Sequence, residues 1–130
     1  DSSIHQWIVL EEGYYNDEVV GYCSAQINQE GLLGILKTSV VRPDRQRHGI
    51  GDAMVKHRVK WLQEQNVHVI KSYAWFMDGR VPAQKMLMNN DFKPLDDIRG
   101  YWSSDHNAGF PCKICGSNCK CVARIFEYEK

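Results

Sequence analysis

The sequence feature that most constrains the fold is a change of hydrophobic period across the short segment Arg42 to Gly49. Before it, the run "LLGILKTSVV" from Leu32 to Val41 is rich in aliphatic and β-branched residues and predicts a strand, which ends at Pro43 because proline has no N–H to donate to a sheet. From Ile50 onward, apolar residues recur at helical spacing and predict a helix. The chain therefore passes from a strand through a glycine-containing turn directly into a helix.

The segments around this junction predict a mixed sheet with helices. Two earlier runs, Ile4 to Glu12 and Val19 to Asn28, predict strands, and the short links make the first three strands an antiparallel meander. Val67 to Phe76 predicts a fourth strand, parallel to the third because a strand, a helix and a strand in succession form a right-handed crossover. The order βββαβαββ of an α+β fold is completed by a short second helix within residues 78–92 and by two final strands, Ile98 to Trp102 and Val122 to Glu129.

Length and charge narrow the class of protein further. The chain has 130 residues, which suits one domain, and its 16 basic residues balance 16 acidic residues. A neutral chain without a wider basic stripe has no global field that would attract nucleic acid. The opening "DSSIHQ" and the short apolar run Trp7 to Leu10 form neither a secretory signal nor a membrane span. We therefore expect a soluble, cytoplasmic protein that binds neither nucleic acid nor membranes.

Basic residues surround the glycines of the turn that opens the first helix. Such a turn favours a phosphate group, because unpaired backbone N–H groups and the positive end of the helix dipole meet there. The turn lacks the GK[ST] of a nucleoside triphosphatase loop and the GxGxxG of a dinucleotide site, so it is typical of neither class. The residues concerned are Arg42, Arg45, Arg47, His48, Gly49 and Gly51.

The segment "VRPDRQRHGIG" resembles the pyrophosphate signature of the GNAT family of N-acetyltransferases. That signature is [RQ]xxGx[GA] after a strand that ends in VxP. Val41 and Pro43 stand at the VxP positions, and Gln46, Gly49 and Gly51 form the signature. The predicted order of elements is similar to the family's from its second strand to its last. The resemblance implies a GNAT-like acyl-CoA N-acyltransferase fold that starts near the family's second strand and spans a single domain over residues 1–130.

The resemblance also implies a site for acetyl-CoA as the cosubstrate. The end of the third strand lends backbone groups to the pantetheine arm, and the amides of the turn hold the pyrophosphate. Arg42, Arg45, Arg47 and Lys56 are candidates for the phosphate groups of the adenosine, with a solvated polar loop as the alternative. The residues implied to bind the cofactor are Ser39, Val40, Val41, Arg45, Gln46, Arg47, His48, Gly49, Ile50, Gly51 and Asp52.

The groups that would transfer protons are not identified by the resemblance. Leu87 occupies the position at which relatives carry a tyrosine acid, and Ile35 occupies the position at which some carry a glutamate base. The remaining candidates are Glu11, Glu12, Tyr73 and Asp78, with strand-edge, packing and turn positions as their alternative roles. A thiol can leave as the thiolate without an acid, so the reaction itself is not excluded.

A cluster of cysteines lies between the last two predicted strands, within residues 112–121. The array "CKICGSNCKC" has the spacing CxxCxxxCxC, and four such thiolates fit one tetrahedral, structural Zn²⁺ ion. Two disulfides are the alternative. The predicted metal ligands are Cys112, Cys115, Cys119 and Cys121.

The leading hypothesis is an acetyl-CoA-dependent N-acetyltransferase, in which an amine of a small molecule or a protein attacks the thioester directly. The alternatives are a noncatalytic acyl-CoA-binding module and a zinc-stabilised protein-interaction domain. The chain begins near the family's second strand, so a further segment, a homo-oligomer or a partner chain is expected to complete the N-terminal wall of the acceptor groove.

Overall fold

The computed structural model describes residues 2–76, 80–99 and 121–129, and in these ranges it contains six strands and two α-helices. The predicted order βββαβαββ is confirmed, and with it the α+β class. The elements are β1 (Ser2–Glu11), β2 (Glu18–Asn28), β3 (Leu33–Val41), α1 (Ile50–Glu64), β4 (Val69–Phe76), α2 (Gln84–Asn89), β5 (Phe92–Arg99) and β6 (Val122–Tyr128).

The chain divides into two units, Asp1–Ser72 and Tyr73–Lys130. In the first unit the strand order is β1-β2-β3-β4, with both neighbours of β2 antiparallel to it. β3 and β4 are parallel and pair from Leu33–Leu36 to Val69–Ser72. The predicted meander and the parallel crossover are therefore both present, whereas the single-domain organisation stays a prediction.

Helix α1 covers one face of the first unit's sheet. Its buried apolar side chains are Met54, Val55, Val59 and Leu62. Leu62 is fully buried and lies against Gly34 of β3, where a Cβ atom would come within 2.8 Å of the Leu62 Cδ2. The absence of a side chain at Gly34 thus allows the helix to approach the strand closely.

Aromatic rings join the same helix to the edge strand β1. The Trp7 ring meets the Trp61 ring edge-on at 5.1 Å between centroids and the His57 ring at 5.4 Å. His5 lies 4.5 Å from Trp61. Because such contacts add to the burial of apolar surface, they hold α1 over β1 as well as over β2 and β3.

In the second unit the strand order is β4-β6-β5, and β5 and β6 are antiparallel. Its core contains the fully buried rings of Phe92 and Phe126. The strand before the cysteines was predicted to begin at Ile98. This start was wrong, because β5 begins at Phe92. β5 is an edge strand, exposed after its first residue, and an edge position tolerates Pro94. Residues 100–102 of the predicted strand lie outside the described residues.

No helix in the described ranges is long and apolar enough to span a bilayer.

Candidate functional site

The segment between β3 and α1 is attached to the end of the sheet by hydrogen bonds. The Arg42 N–H donates to Val20 O at 2.8 Å, which extends the contact between β3 and β2. A 3₁₀ turn over Pro43–Arg45 follows, in which the Arg45 N–H donates to Arg42 O at 2.8 Å. The Gln46 side chain then donates from Nε2 to Val41 O at 3.3 Å. These hydrogen bonds fix the position of the predicted phosphate-binding turn relative to the ends of β2 and β3.

The start of α1 has an exposed N-cap residue, half-buried first residues and no side-chain cap. Gly49 is the N-cap residue, with φ 82° and ψ 5°, a left-handed conformation that glycine adopts without strain. The Ala53 N–H donates to Gly49 O at 3.0 Å, so the amides of Ile50 and Gly51 have no partner within the helix. Among the described residues, no atom lies within 4 Å of a Cβ placed on Gly49. The helix therefore begins with N–H groups that have no helical partner, next to a glycine with open space at its Cβ position, an arrangement that favours an anion.

Acidic residues pair with two of the cations that were predicted to contact the phosphates. Arg42 binds Glu18 at 2.7 Å and Asp44 at 2.6 Å, and Arg45 binds Glu11 at 2.7 Å. The hydrogen bond from Arg45 holds the pKa of Glu11 below its usual value, and the hydrogen bond from Arg42 does the same for Asp44. In this state the two arginines anchor the turn to β1 and β2.

Lys56 and Arg47, the other two cations that were predicted to contact the phosphates, differ in their ion pairs. Lys56 forms an ion pair with Asp52 one helical turn earlier. Arg47 is exposed, has a positive φ of 68°, and makes no ion pair with any residue of the described ranges. Arg47 is therefore the cation of the turn that is most available to a phosphate group, with the exposed His48 next to it.

The predicted cofactor residues of β3 follow a β-bulge. Ala25 of β2 pairs with Leu36, and pairing resumes only at Ser39, so two residues of β3 lie opposite Ser24. β3 is buried just before the bulge and exposed over Lys37–Val40. The predicted cofactor residues of β3 thus lie between the bulge and the predicted turn, in the exposed part of the strand.

Arg58 of α1 reaches into this bulge, and the sequence analysis did not identify it. Its guanidinium donates from Nη1 to Ser24 O at 3.0 Å and to Thr38 O at 3.3 Å, and from Nη2 to Ser39 Oγ at 2.7 Å. Its Nε donates to Met54 O at 3.1 Å. The residue is 1 % exposed and has no carboxylate partner in the described part of the chain. Burial therefore lowers the pKa of Arg58 from its usual value.

Helical spacing could have identified Arg58. It lies three residues after Val55 and four before Leu62, and both are buried. A cation on the apolar side of an amphipathic helix indicates buried acceptors on the facing element, because an unpaired charge is costly to bury.

The structure describes three of the four remaining proton-transfer candidates. Glu11 ends β1 and forms an ion pair with Arg45, and Glu12 follows it as an exposed residue. Tyr73 lies half-buried in β4, and Asp78 lies outside the described residues. Leu87, at the position of the family's tyrosine, is 2 % exposed in α2, and Ile35 is buried in β3. Both are packing residues, in agreement with their apolar character.

The predicted zinc ligands are only partly described. Cys112, Cys115 and Cys119 lie outside the described residues, whereas Cys121 is buried immediately before β6. Within the described ranges, no group of three or more His, Cys, Asp or Glu residues is arranged to hold a metal ion. The zinc site stays a prediction.

The solved structures of several acetyltransferases have the same fold. An IAA acetyltransferase from Bacillus cereus superposes with a TM-score of 0.73 at 14% identity, over 96% of this chain and 77% of that one. The ribosomal-protein-S18-alanine N-acetyltransferase from Escherichia coli gives 0.69 at 17% identity, over 96% and 68%. A GNAT family acetyltransferase from Elizabethkingia anophelis with acetyl-CoA bound gives 0.69 at 13% identity, over 99% and 98%. At these identities the similarities establish the fold.

Sequence comparison establishes the family. A search of curated protein sequences gives no match. The family model described as the acetyltransferase (GNAT) family matches residues 1–92, which include β1 to β4, both helices and the turn at Gly49. The chain therefore belongs to the GNAT acetyltransferase family.

Proposed function

We propose that the chain is an acetyl-CoA-dependent N-acetyltransferase that acts on an amine of a small molecule or a protein. The observation that carries the proposal is the start of α1 at Gly49, which has no side-chain cap and is joined to the end of β3 by one short turn over residues 42–48. Membership in the family and the acetyl-CoA bound in the neighbour from Elizabethkingia anophelis support the choice of cosubstrate.

In the proposed reaction, the acceptor nitrogen forms a bond to the acetyl carbon and the thioester C–S bond breaks. The amine gives up a proton to solvent water, and coenzyme A leaves as the thiolate, whose conjugate thiol has a pKa of about 8.5. Amides at the start of α1 hold the diphosphate, and the backbone of Ser39–Val41 holds the pantetheine arm. Fixed N–H dipoles then stabilise the oxyanion, and the two reactants need not meet by diffusion at each turnover.

Two glycine variants with similar backbone strain test the role of the turn. Gly49 and Gly31 have φ values of 82° and 88°, and neither has an atom of the described residues within 4 Å of a Cβ position. Both Gly→Ala changes therefore cost a similar free energy of folding, about 1 kcal/mol. Of the two added methyl groups, only that of Gly49→Ala lies on the N-cap residue of α1, next to the amides that have no helical partner. We expect Gly49→Ala to weaken acetyl-CoA binding about tenfold or more, and Gly31→Ala to leave it unchanged.

The measurements are titration calorimetry with acetyl-CoA and release of the CoA thiol against a panel of amines. Binding with thiol release on one amine is the expected result. Binding without turnover on any amine would favour the alternative of a noncatalytic acyl-CoA-binding module. Absence of binding by the wild type, or equal losses in the two glycine variants, would overturn the proposal and leave the zinc-stabilised protein-interaction domain.

Two further features complete the proposal. Cys112, Cys115, Cys119 and Cys121 bind a structural zinc ion in the part of the sequence that precedes β6. A homo-oligomer or a partner chain contributes to the wall of the acceptor groove.

A further inference from the structure

The bulge in β3 removes backbone hydrogen bonds that regular pairing would supply. The Thr38 N–H donates instead to Ser24 Oγ at 3.1 Å. The carbonyl oxygens of Ser24 and Thr38 both accept from Arg58 Nη1, at 3.0 and 3.3 Å. Two side chains, Ser24 and Arg58, thus satisfy the polar groups that the bulge leaves without a ladder partner. Since both side chains are at most 3 % exposed, water does not compete with these bonds.

Arg58 also determines how the Ser39 hydroxyl is used. Nη2 lies 2.7 Å from Ser39 Oγ, and a guanidinium can only donate. The hydroxyl oxygen therefore accepts from Arg58, and the hydroxyl proton points away from it. Ser39 is exposed, so this proton is available to a ligand at the end of β3.

The position of Arg58 separates its effect from that of the turn. It lies in the third turn of α1, nine residues after Gly49, and within the described part of the chain its hydrogen bonds are all to α1, β2 and β3. Loss of these contacts frees the bulge and the Ser39 hydroxyl but leaves the amides at Ile50 and Gly51 in place.

We propose that Arg58 is a positioning residue for the pantetheine arm of acetyl-CoA: it holds the bulge of β3 and orients the Ser39 hydroxyl, so that Ser39–Val41 present their polar groups to the arm. The inference rests on the proposed function. It predicts that Arg58 contributes to binding of the pantetheine arm by β3 and does not contribute to binding of the nucleotide part by the start of α1.

The test compares two ligands on the full chain. One is acetyl-CoA, and the other is adenosine 3′-phosphate 5′-diphosphate, which has the phosphates but lacks the pantetheine arm. We expect Arg58→Met to bind the nucleotide as the wild type does, and to bind acetyl-CoA about tenfold more weakly. We expect Ser39→Ala to lose part of the preference for acetyl-CoA over the nucleotide. The double variant with Arg58→Met and Ser39→Ala should lose no more of this preference than Arg58→Met alone. Lys60→Met, which removes an exposed cation of α1, changes neither affinity.

The two hypotheses fail in different ways. A wild type that binds neither ligand overturns the proposed function. A wild type that binds both, together with an Arg58→Met variant that loses both equally or neither, overturns the role of Arg58. If Arg58→Met does not fold, Arg58→Lys decides, because the lysine keeps the charge and reaches fewer of the acceptors. Its preference for acetyl-CoA over the nucleotide must then fall; an unchanged preference overturns the role.

Discussion

Arg45 and Glu11 form a two-point ion pair, with Nε to Oε2 at 2.7 Å and Nη2 to Oε1 at 2.8 Å, between residues that are 34 positions apart in the sequence. The pair connects the turn between β3 and α1, proposed to bind phosphate, to β1, which lies on the far side of β2 from β3. The pair therefore orders the turn before any ligand is present. This reduces the conformational entropy that the turn loses when a ligand binds.

The pair predicts a dependence of stability on pH. Arg45 lowers the folded-state pKa of Glu11 below its usual 4.5, so the pair stabilises the fold above that value and the stabilisation is lost as the pH falls through the lowered pKa. We expect the melting temperature of the wild type to exceed that of Glu11→Gln at about pH 7, and the difference to shrink towards about pH 3. A difference that is constant over this range would contradict the prediction.

The contact between Gly34 and Leu62 predicts an overpacked variant. Gly34→Ala would place a Cβ 2.8 Å from Leu62 Cδ2 and 3.3 Å from its Cγ, and Leu62 is fully buried. We expect Gly34→Ala to lower the free energy of unfolding by about 1–3 kcal/mol in urea denaturation. In the double variant with Leu62→Ala the methyl group has room. The double variant should therefore cost less than the sum of the single changes, and strict additivity would show that the contact is not the cause.

The exposed charge of Arg47 is expected to contribute to the affinity for acetyl-CoA. It is exposed and has no ion pair among the described residues, whereas Arg42 and Arg45 are held by carboxylates. Arg47→Gln should weaken acetyl-CoA binding by about three- to tenfold at low salt, and the loss should diminish at high salt because exposed charges are screened. Lys60→Gln is the control, since it removes an exposed cation of α1 outside the turn. Equal losses in the two variants would attribute the effect to net charge alone.

The cysteine cluster predicts that the full chain contains a bound metal ion. Native mass spectrometry should find one zinc ion per chain, and a chelator should remove it. Cys115→Ser should abolish the zinc, whereas Cys23→Ala should retain it because Cys23 is buried in β2. A zinc-free chain with the mass deficit of two disulfides would support the alternative instead.

Local sequence was sufficient to predict the strand, the turn and the helix that form the candidate site. Pro43 ends the strand, Gly49 supplies the left-handed residue and Ile50 begins the helical period, each within a few residues of the others. The start of β5 was not predictable in this way. An edge strand exposed after Phe92 has no alternating apolar pattern, and only its pairing with β6 makes Lys93 and Pro94 part of a sheet.

The sequence by itself determined the order of elements and the signature of the turn, because hydrophobic period, proline and glycine act over short stretches of chain. Only the tertiary structure decided that Arg58 is buried and that Glu11 holds Arg45. Both contacts join residues at least 19 positions apart in the sequence, and the skip in register between β2 and β3 creates the acceptors that Arg58 binds. A buried cation is stable only where such acceptors converge, and no local pattern records which distant carbonyl groups the folded chain brings to it.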